Sequence, residues 1–295
     1  MINREDVEAA ARRIDGRIRR TPLVEAEPGR WFKLEYLQHA GSFKTRGMMN
    51  KMLSSAIPEA GVVVASGGNA GLAAAYAARE LGVPAEVFVP VTAPAVKVAK
   101  LGKLGAKVVQ VGNEYAEAYA AALERTDALF CHAYDDPAMV AGNGTLALEI
   151  SEISDTVLVA VGGGGLVAGV IAALRGRARI VAVEPVTSCA LHEALKAEKP
   201  VDVRVSGVAA DSLGARRVGD IAFELATDAE IDSILVDDDA IIHARRKLWD
   251  DYRIVVEHGT AAAYAALISG AYRPAPGERV TTLLCGANTN PADLG

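Results

Sequence analysis

Thr156-Val157-Leu158-Val159-Ala160-Val161-Gly162-Gly163-Gly164-Gly165-Leu166-Val167-Ala168-Gly169-Val170-Ile171 reads as an apolar strand, a bare glycine turn and the opening of an apolar helix. An uninterrupted apolar run of this length suits a strand buried on both faces of a parallel sheet. The turn has two readings. As plain punctuation it joins strand to helix, but one or two glycines suffice for that. Four in a row leave backbone N–H groups uncovered at a helix N-terminus, where a phosphate is naturally held. Gly163 to Ala168 also fits G-x-G-x-x-A, with Glu184 ending the next strand about where a ribose-binding acid belongs. That fit would make the protein a nicotinamide-dependent oxidoreductase. Glycine at four consecutive positions satisfies many glycine patterns, however, so the turn alone does not decide.

On either side of this stretch, short β-branched runs alternate with Ala-rich helical segments, the pattern of an α/β fold with mainly parallel sheets. After an N-terminal helical segment, Glu5 to Arg13, a first block has strand-like runs at 61–65, 85–89, 107–111 and 128–131, roughly three βα repeats. A second block has runs at 156–161, 179–183 and 280–284, with helical stretches at 239–249 and 260–268. Two open, twisted α/β domains sharing one cleft are expected, and such a cleft is the usual place for a small-molecule site.

The chain of 295 residues is 51% hydrophobic, enough for a sizeable core. Its 31 basic and 37 acidic residues are spread along the sequence without a basic block, which argues against nucleic acid as a partner. No apolar run reaches the roughly 18 residues that would cross a bilayer, and the start, Met1 to Asp6, lacks the apolar core of a signal peptide. A cytoplasmic location is expected. Cys131, Cys189 and Cys285 are odd in number and far apart, which suits neither a disulfide framework nor a zinc site.

Gly41-Ser42-Phe43-Lys44-Thr45-Arg46-Gly47, preceded by Trp31 to Gln38, closely resembles the cofactor-lysine segment of the fold type II pyridoxal-phosphate enzymes, in particular the serine/threonine dehydratase and serine racemase group. A lysine suits that place because a primary amine can bond reversibly to the cofactor's aldehyde and, once freed, act as a base. Four further segments match in the same order. Ser66-Gly67-Gly68-Asn69-Ala70-Gly71 resembles the loop that holds the substrate carboxylate, and its asparagine would reach the cofactor's phenolic oxygen. Pro137 to Ile150 resembles the segment at the return to the larger domain. Gly162 to Gly165, leading into Leu166, resembles the phosphate cradle. Leu284-Cys285-Gly286-Ala287-Asn288 resembles the stretch whose first polar residue faces the pyridine nitrogen. The resemblance, from about Asp6 to Asn290, implies a fold like the tryptophan synthase β-subunit, with residues 1–50 plus 139–295 as a large cofactor-binding domain and 51–138 as a small inserted one.

On the same basis Lys44 is the catalytic residue. Phe43, Asn69, Gly162, Gly163, Gly164, Gly165, Leu166 and Cys285 join it around pyridoxal phosphate, and Ser66, Gly68, Asn69 and Ala70 hold the carboxylate of a small amino acid. The implied reaction is β-elimination from a hydroxy amino acid such as threonine or serine, giving a 2-oxo acid and ammonia; serine racemisation and β-replacement, as in cysteine synthase, are the alternatives on this fold. Three departures carry information. Cys285 replaces the commoner serine, and a thiol is likewise a neutral partner for the ring nitrogen. Gly67 stands where the racemase carries a serine on the second face, which favours dehydration. Glu184 matches one cation-binding carboxylate of racemase relatives, but the second, six residues on, is Ala190; a monovalent or divalent cation at Glu184 stays an expectation. Asp211 reads as a turn residue and His258, in Glu257-His258-Gly259-Thr260, as cleft wall or support behind it. A homodimer or higher homo-oligomer is expected, without a C-terminal regulatory domain and its isoleucine feedback.

Overall fold

The computed structural model describes residues 1–294. The chain opens with α1 (Arg4–Ile14), started by a reciprocal cap in which Asn3 accepts from the Glu5 and Asp6 N–H groups while Asp6 accepts from Asn3 N–H. An antiparallel pair follows, β1 (Leu23–Glu27) with β2 (Arg30–Lys33), and then α2 (Lys44–Leu53). From there the chain builds a first sheet through β3 (Val62–Ala65), α3 (Asn69–Leu81), β4 (Ala85–Val89), α4 (Ala95–Lys103), β5 (Lys107–Gln110), α5 (Tyr115–Leu123) and β6 (Leu129–Phe130). Its order is β5-β4-β3-β6 and every pairing is parallel.

The chain returns through α6 (Pro137–Leu148), β7 (Thr156–Ala160), α7 (Gly165–Leu174), β8 (Arg179–Pro185), α8 (Ala190–Ala197), α9 (Asp220–Asp228), β9 (Asp232–Val236), α10 (Asp238–Tyr252), α11 (His258–Ile268) and β10 (Val280–Leu283). These strands join the opening pair in a sheet ordered β1-β2-β10-β7-β8-β9, parallel except at β1–β2. The result is the α/β architecture with mainly parallel sheets that the alternation of strand and helix predicts.

The continuous apolar runs have a plain cause. In β7, Val157 and Val159 pack into the core beneath α6 and α7, while Leu158 and Ala160 pack into the core beneath α10 and α11. In β3, Val62 and Val64 point into one core and Val63 and Ala65 into the other. Both faces of each sheet are covered, so alternation is not needed. Each fully buried Val or Leu contributes roughly 1.5–3 kcal/mol over its exposed state. Helices α2 and α6 carry the chain between the sheets and touch where side chains vanish: a Cβ on Gly47 would stand 2.8 Å from the Met139 carbonyl oxygen, and one on Gly142 2.7 Å from that of Arg46. This close approach fixes the N-terminal end of α2, where Lys44 sits.

Candidate active site

Lys44 is the first residue of α2, and the strand-like approach to it is bonded to the far end of β10. Phe43 N–H donates to the Cys285 carbonyl at 3.0 Å, Ala287 N–H to that of Gly41 at 3.0 Å, and Ser42 bridges Gly286. A cluster of buried charge holds the helix behind it. The Arg46 guanidinium donates to both Glu35 oxygens (2.5 and 3.0 Å) and to Glu149 (2.7 Å), and Lys33 pairs with the other Glu149 oxygen. The Lys44 amine lies in the cleft and donates to the Ala133 carbonyl at 2.5 Å. Burial pulls its pKa down to about 8.

The glycine turn faces the same cleft. Gly164 adopts φ +91°, open to glycine at little strain, and a Cβ there would meet that of Ala222 at 2.4 Å. α7 begins at Gly165, so its dipole and free N–H groups point at whatever the turn holds. Phe43, Lys44, Asn69, Gly162 to Leu166 and Cys285 all line this one cleft. Gly68 lines the adjoining recess toward solvent, whereas Ala70 is buried at the start of α3. Ser66 Oγ accepts from Gly68 N–H at 3.2 Å, so one of the donors expected for a carboxylate is held inside the loop. Gly71 has to be glycine, since a Cβ would lie 1.9 Å from the Ser66 carbonyl oxygen.

Asn69 bridges the two sheets. Its amide donates to both oxygens of Glu257 (3.0 and 2.9 Å) and its carbonyl accepts from Asn288 at 2.7 Å, while Asn288 N–H donates to Glu257 at 2.7 Å. Glu257 is buried in the cleft wall, and burial raises its pKa against the pull of these bonds. Sequence reasoning passes over it for its neighbour His258, which does not appear on the cleft surface; Glu257 and Thr260 do. The helix-start motif Glu-His-Gly-Thr contains the signal, because the residue at the cap, rather than the first in the helix, faces the sheet end. Ser212 and Asn288 are likewise missed.

Cys285 Sγ lies 3.3 Å from Thr260 Oγ1, and burial pushes the thiol up to about 12, so it is neutral. Glu184, the candidate cation ligand, is fully buried with both oxygens engaged: Leu191 N–H donates to one at 2.9 Å and His192 N–H to the other at 2.7 Å. Its carboxylate thus serves the first turn of α8, and burial raises it to about 8. Among the described residues no group of three or more His, Cys, Asp or Glu side chains is placed to hold a metal. Asp211, read as a turn residue, is exposed and pairs with Lys97 of α4 across the cleft mouth.

The profile of the pyridoxal-phosphate dependent enzyme family matches residues 14–286. An L-threonine ammonia-lyase of Geobacter sulfurreducens is 36% identical over 94% of this chain and 73% of its own length. Among solved structures, a T.th. threonine deaminase superposes with a TM-score of 0.90 at 32% identity, covering 98% of this chain and 99% of that one. Maize serine racemase gives 0.91 at 28% identity, over 99% and 95%. These neighbours have the fold of the type II enzymes, as the sequence leads one to expect. No described helix is long and apolar enough to cross a membrane. A family profile spanning nearly the whole chain, together with a buried lysine and an anion-ready glycine turn on one cleft, places this chain in the family of pyridoxal-phosphate-dependent enzymes.

Proposed function

We propose that the protein is an ammonia-lyase that dehydrates and deaminates a small L-β-hydroxy amino acid, threonine or serine, to a 2-oxo acid and ammonia. The observation that carries this is the convergence of the Lys44 amine, the four-glycine turn and the neutral Cys285 thiol on one cleft, in a chain whose relatives include an L-threonine ammonia-lyase. The residues fit the cofactor. A buried amine stands at one end, a turn whose side-chain positions are closed by neighbouring atoms supplies bare N–H groups at the other, and a neutral partner lies between. When bound, pyridoxal phosphate supplies an aldehyde that bonds to an amine and a ring that draws electrons from the carbon beside it.

In this reading Lys44 carries the cofactor and, with its pKa lowered to about 8, has a neutral fraction near physiological pH that can take the substrate's Cα proton. Gly162 to Gly165 and Leu166 hold the phosphate with backbone N–H groups, reinforced by the α7 dipole. Phe43 and Asn69 would help hold the cofactor, and the neutral Cys285 thiol would offer its ring nitrogen a partner without a negative charge, a setting that favours loss of the β-substituent. Ser66, Gly68, Asn69 and Ala70 form the carboxylate loop. The domains are 1–50 plus 139–295 and 51–138, the boundaries falling within α2 and α6, the two helices that pass between the sheets. Three unpaired cysteines support a cytoplasmic setting. A homodimer or larger assembly is part of the same reading, checked by light scattering.

The test is turnover of L-threonine and L-serine by cofactor-loaded protein, with 2-oxo acid and ammonia measured together. Equal amounts of both are expected, and Lys44→Ala should abolish them. Absence of 2-oxo acid from either substrate, in protein that retains the cofactor, would refute the assignment.

A further inference from the structure

The stretch that follows β6 reaches both Lys44 and the glycine turn. Ala133 accepts the Lys44 ammonium, and Tyr134 lies against the glycine turn. A Cβ on Gly163 would stand 2.4 Å from Cδ1 and Cγ of the Tyr134 ring and 2.6 Å from Cδ2, so the ring rests directly on that glycine. A Cβ on Gly165 would stand 2.6 Å from the Tyr134 carbonyl oxygen. One residue therefore covers two of the four glycines, with its ring on one and its backbone on the other.

Tyr134 is itself held on several sides. Its hydroxyl donates to the Arg217 carbonyl at 3.3 Å, and burial raises the phenol so that the proton stays on. His132 Nδ1 accepts from the Tyr134 and Asp135 N–H groups at 3.3 and 2.8 Å. The Asp135 carboxylate accepts from Asp220 and Ile221 N–H, both at 3.1 Å, and so caps α9, while Gly219 N–H donates to the Gly163 carbonyl at 3.1 Å.

We propose that Tyr134 is a positioning residue for the phosphate cradle: its ring, clamped between the turn after β6 and Arg217, holds the four-glycine backbone in its anion-binding shape and so sets how long the cofactor is retained. The proposal rests on the reading of the glycine turn as the phosphate site. Four consecutive glycines lose more conformational freedom on ordering than any other sequence of that length. A turn ordered in advance by an external side chain does not lose that freedom when the anion arrives, and preorganisation of this kind appears chiefly in the dissociation rate. The ring supplies the contact, so the hydroxyl is secondary.

The experiment compares cofactor release from holoenzyme transferred into cofactor-free buffer, followed by loss of visible absorption, for wild type, Tyr134→Phe, Tyr134→Leu and Tyr134→Ala. Release should quicken by ~tenfold or more in Tyr134→Ala and by at least ~fivefold in Tyr134→Leu, and stay within ~threefold of wild type in Tyr134→Phe. Inorganic phosphate should raise the unfolding temperature of the cofactor-free wild type and of Tyr134→Phe more than that of the other two. Tyr134→Leu keeps a bulky apolar side chain and decides the matter if Tyr134→Ala does not fold. Release and phosphate protection equal to wild type in the Leu variant, even with a lower unfolding temperature, would show that the ring is packing alone and overturn the proposal. Wild-type protein that never takes up the cofactor overturns the cradle reading and the proposal with it.

Discussion

An amine is most useful as a nucleophile and base when it is not held permanently charged, and at Lys44 burial does this without a second cation. Depressed to about 8 from the usual 10.5, the amine of the cofactor-free protein loses its proton, and gains its lone pair, as pH rises through 8. Recapture of pyridoxal phosphate should therefore accelerate from about pH 6.5 and level off above about 8.5, followed by the growth of visible absorption; a rate still climbing steeply at about pH 9.5 would mean an amine with an ordinary pKa. A second residue-scale expectation concerns Gly67. A Cβ there would meet only Val89 Cγ1, at 3.3 Å, and its φ lies outside the left-handed region, so a serine fits with a slight yielding of the valine. Wild type should produce little D-serine from L-serine beside pyruvate, because Lys44 serves one face and Gly67 brings no hydroxyl to the other. Gly67→Ser should raise the racemisation-to-elimination ratio, read by chiral chromatography; abundant D-serine from wild type would place the second acid/base elsewhere.

At the scale of elements, the position of α2 depends on charge inside the protein. Arg46 and Glu35 are fully buried and Lys33 nearly so, and with Glu149 they join β2, α2 and α6. Removing one member leaves its partners buried and uncompensated, at a cost of about 3–5 kcal/mol. Glu35→Ala should lower the urea-derived stability by that amount; a loss below about 1 kcal/mol would show the cluster to be hydrated. Little of this is legible in the sequence. The runs at 62–65, 85–89, 156–160 and 280–283 can be read because strands covered on both faces are built mostly of apolar and β-branched residues. β1, where Leu23, Val24 and Ala26 are mixed with Glu25 and Glu27, β2, with Arg30 and Lys33, and β9, which begins Asp232-Ser233, are edge or near-edge strands with charges that find partners only in the folded chain. Hydrophobic pattern does not mark such strands, and all three escape it.

Across the whole molecule, the site is assembled from the C-terminal ends of two sheets, and what the sequence conveys follows from that. Residues adjacent in the chain, Phe43 with Lys44 or Gly162 through Leu166, announce themselves as motifs. Contacts between distant segments do not: Asn69 with Glu257 and Asn288, Tyr134 with Gly163, Lys97 with Asp211. They link segments that lie far apart in the chain around the cleft, and only the fold brings them together. The central claim, that Lys44 is where the cofactor is held, is tested most directly by treating the yellow holoenzyme with borohydride, digesting it, and locating the pyridoxyl label by mass spectrometry. The label should sit on the peptide containing Lys44 and on no other lysine, and a label on a different lysine, or none in protein that still binds pyridoxal phosphate, would contradict the account.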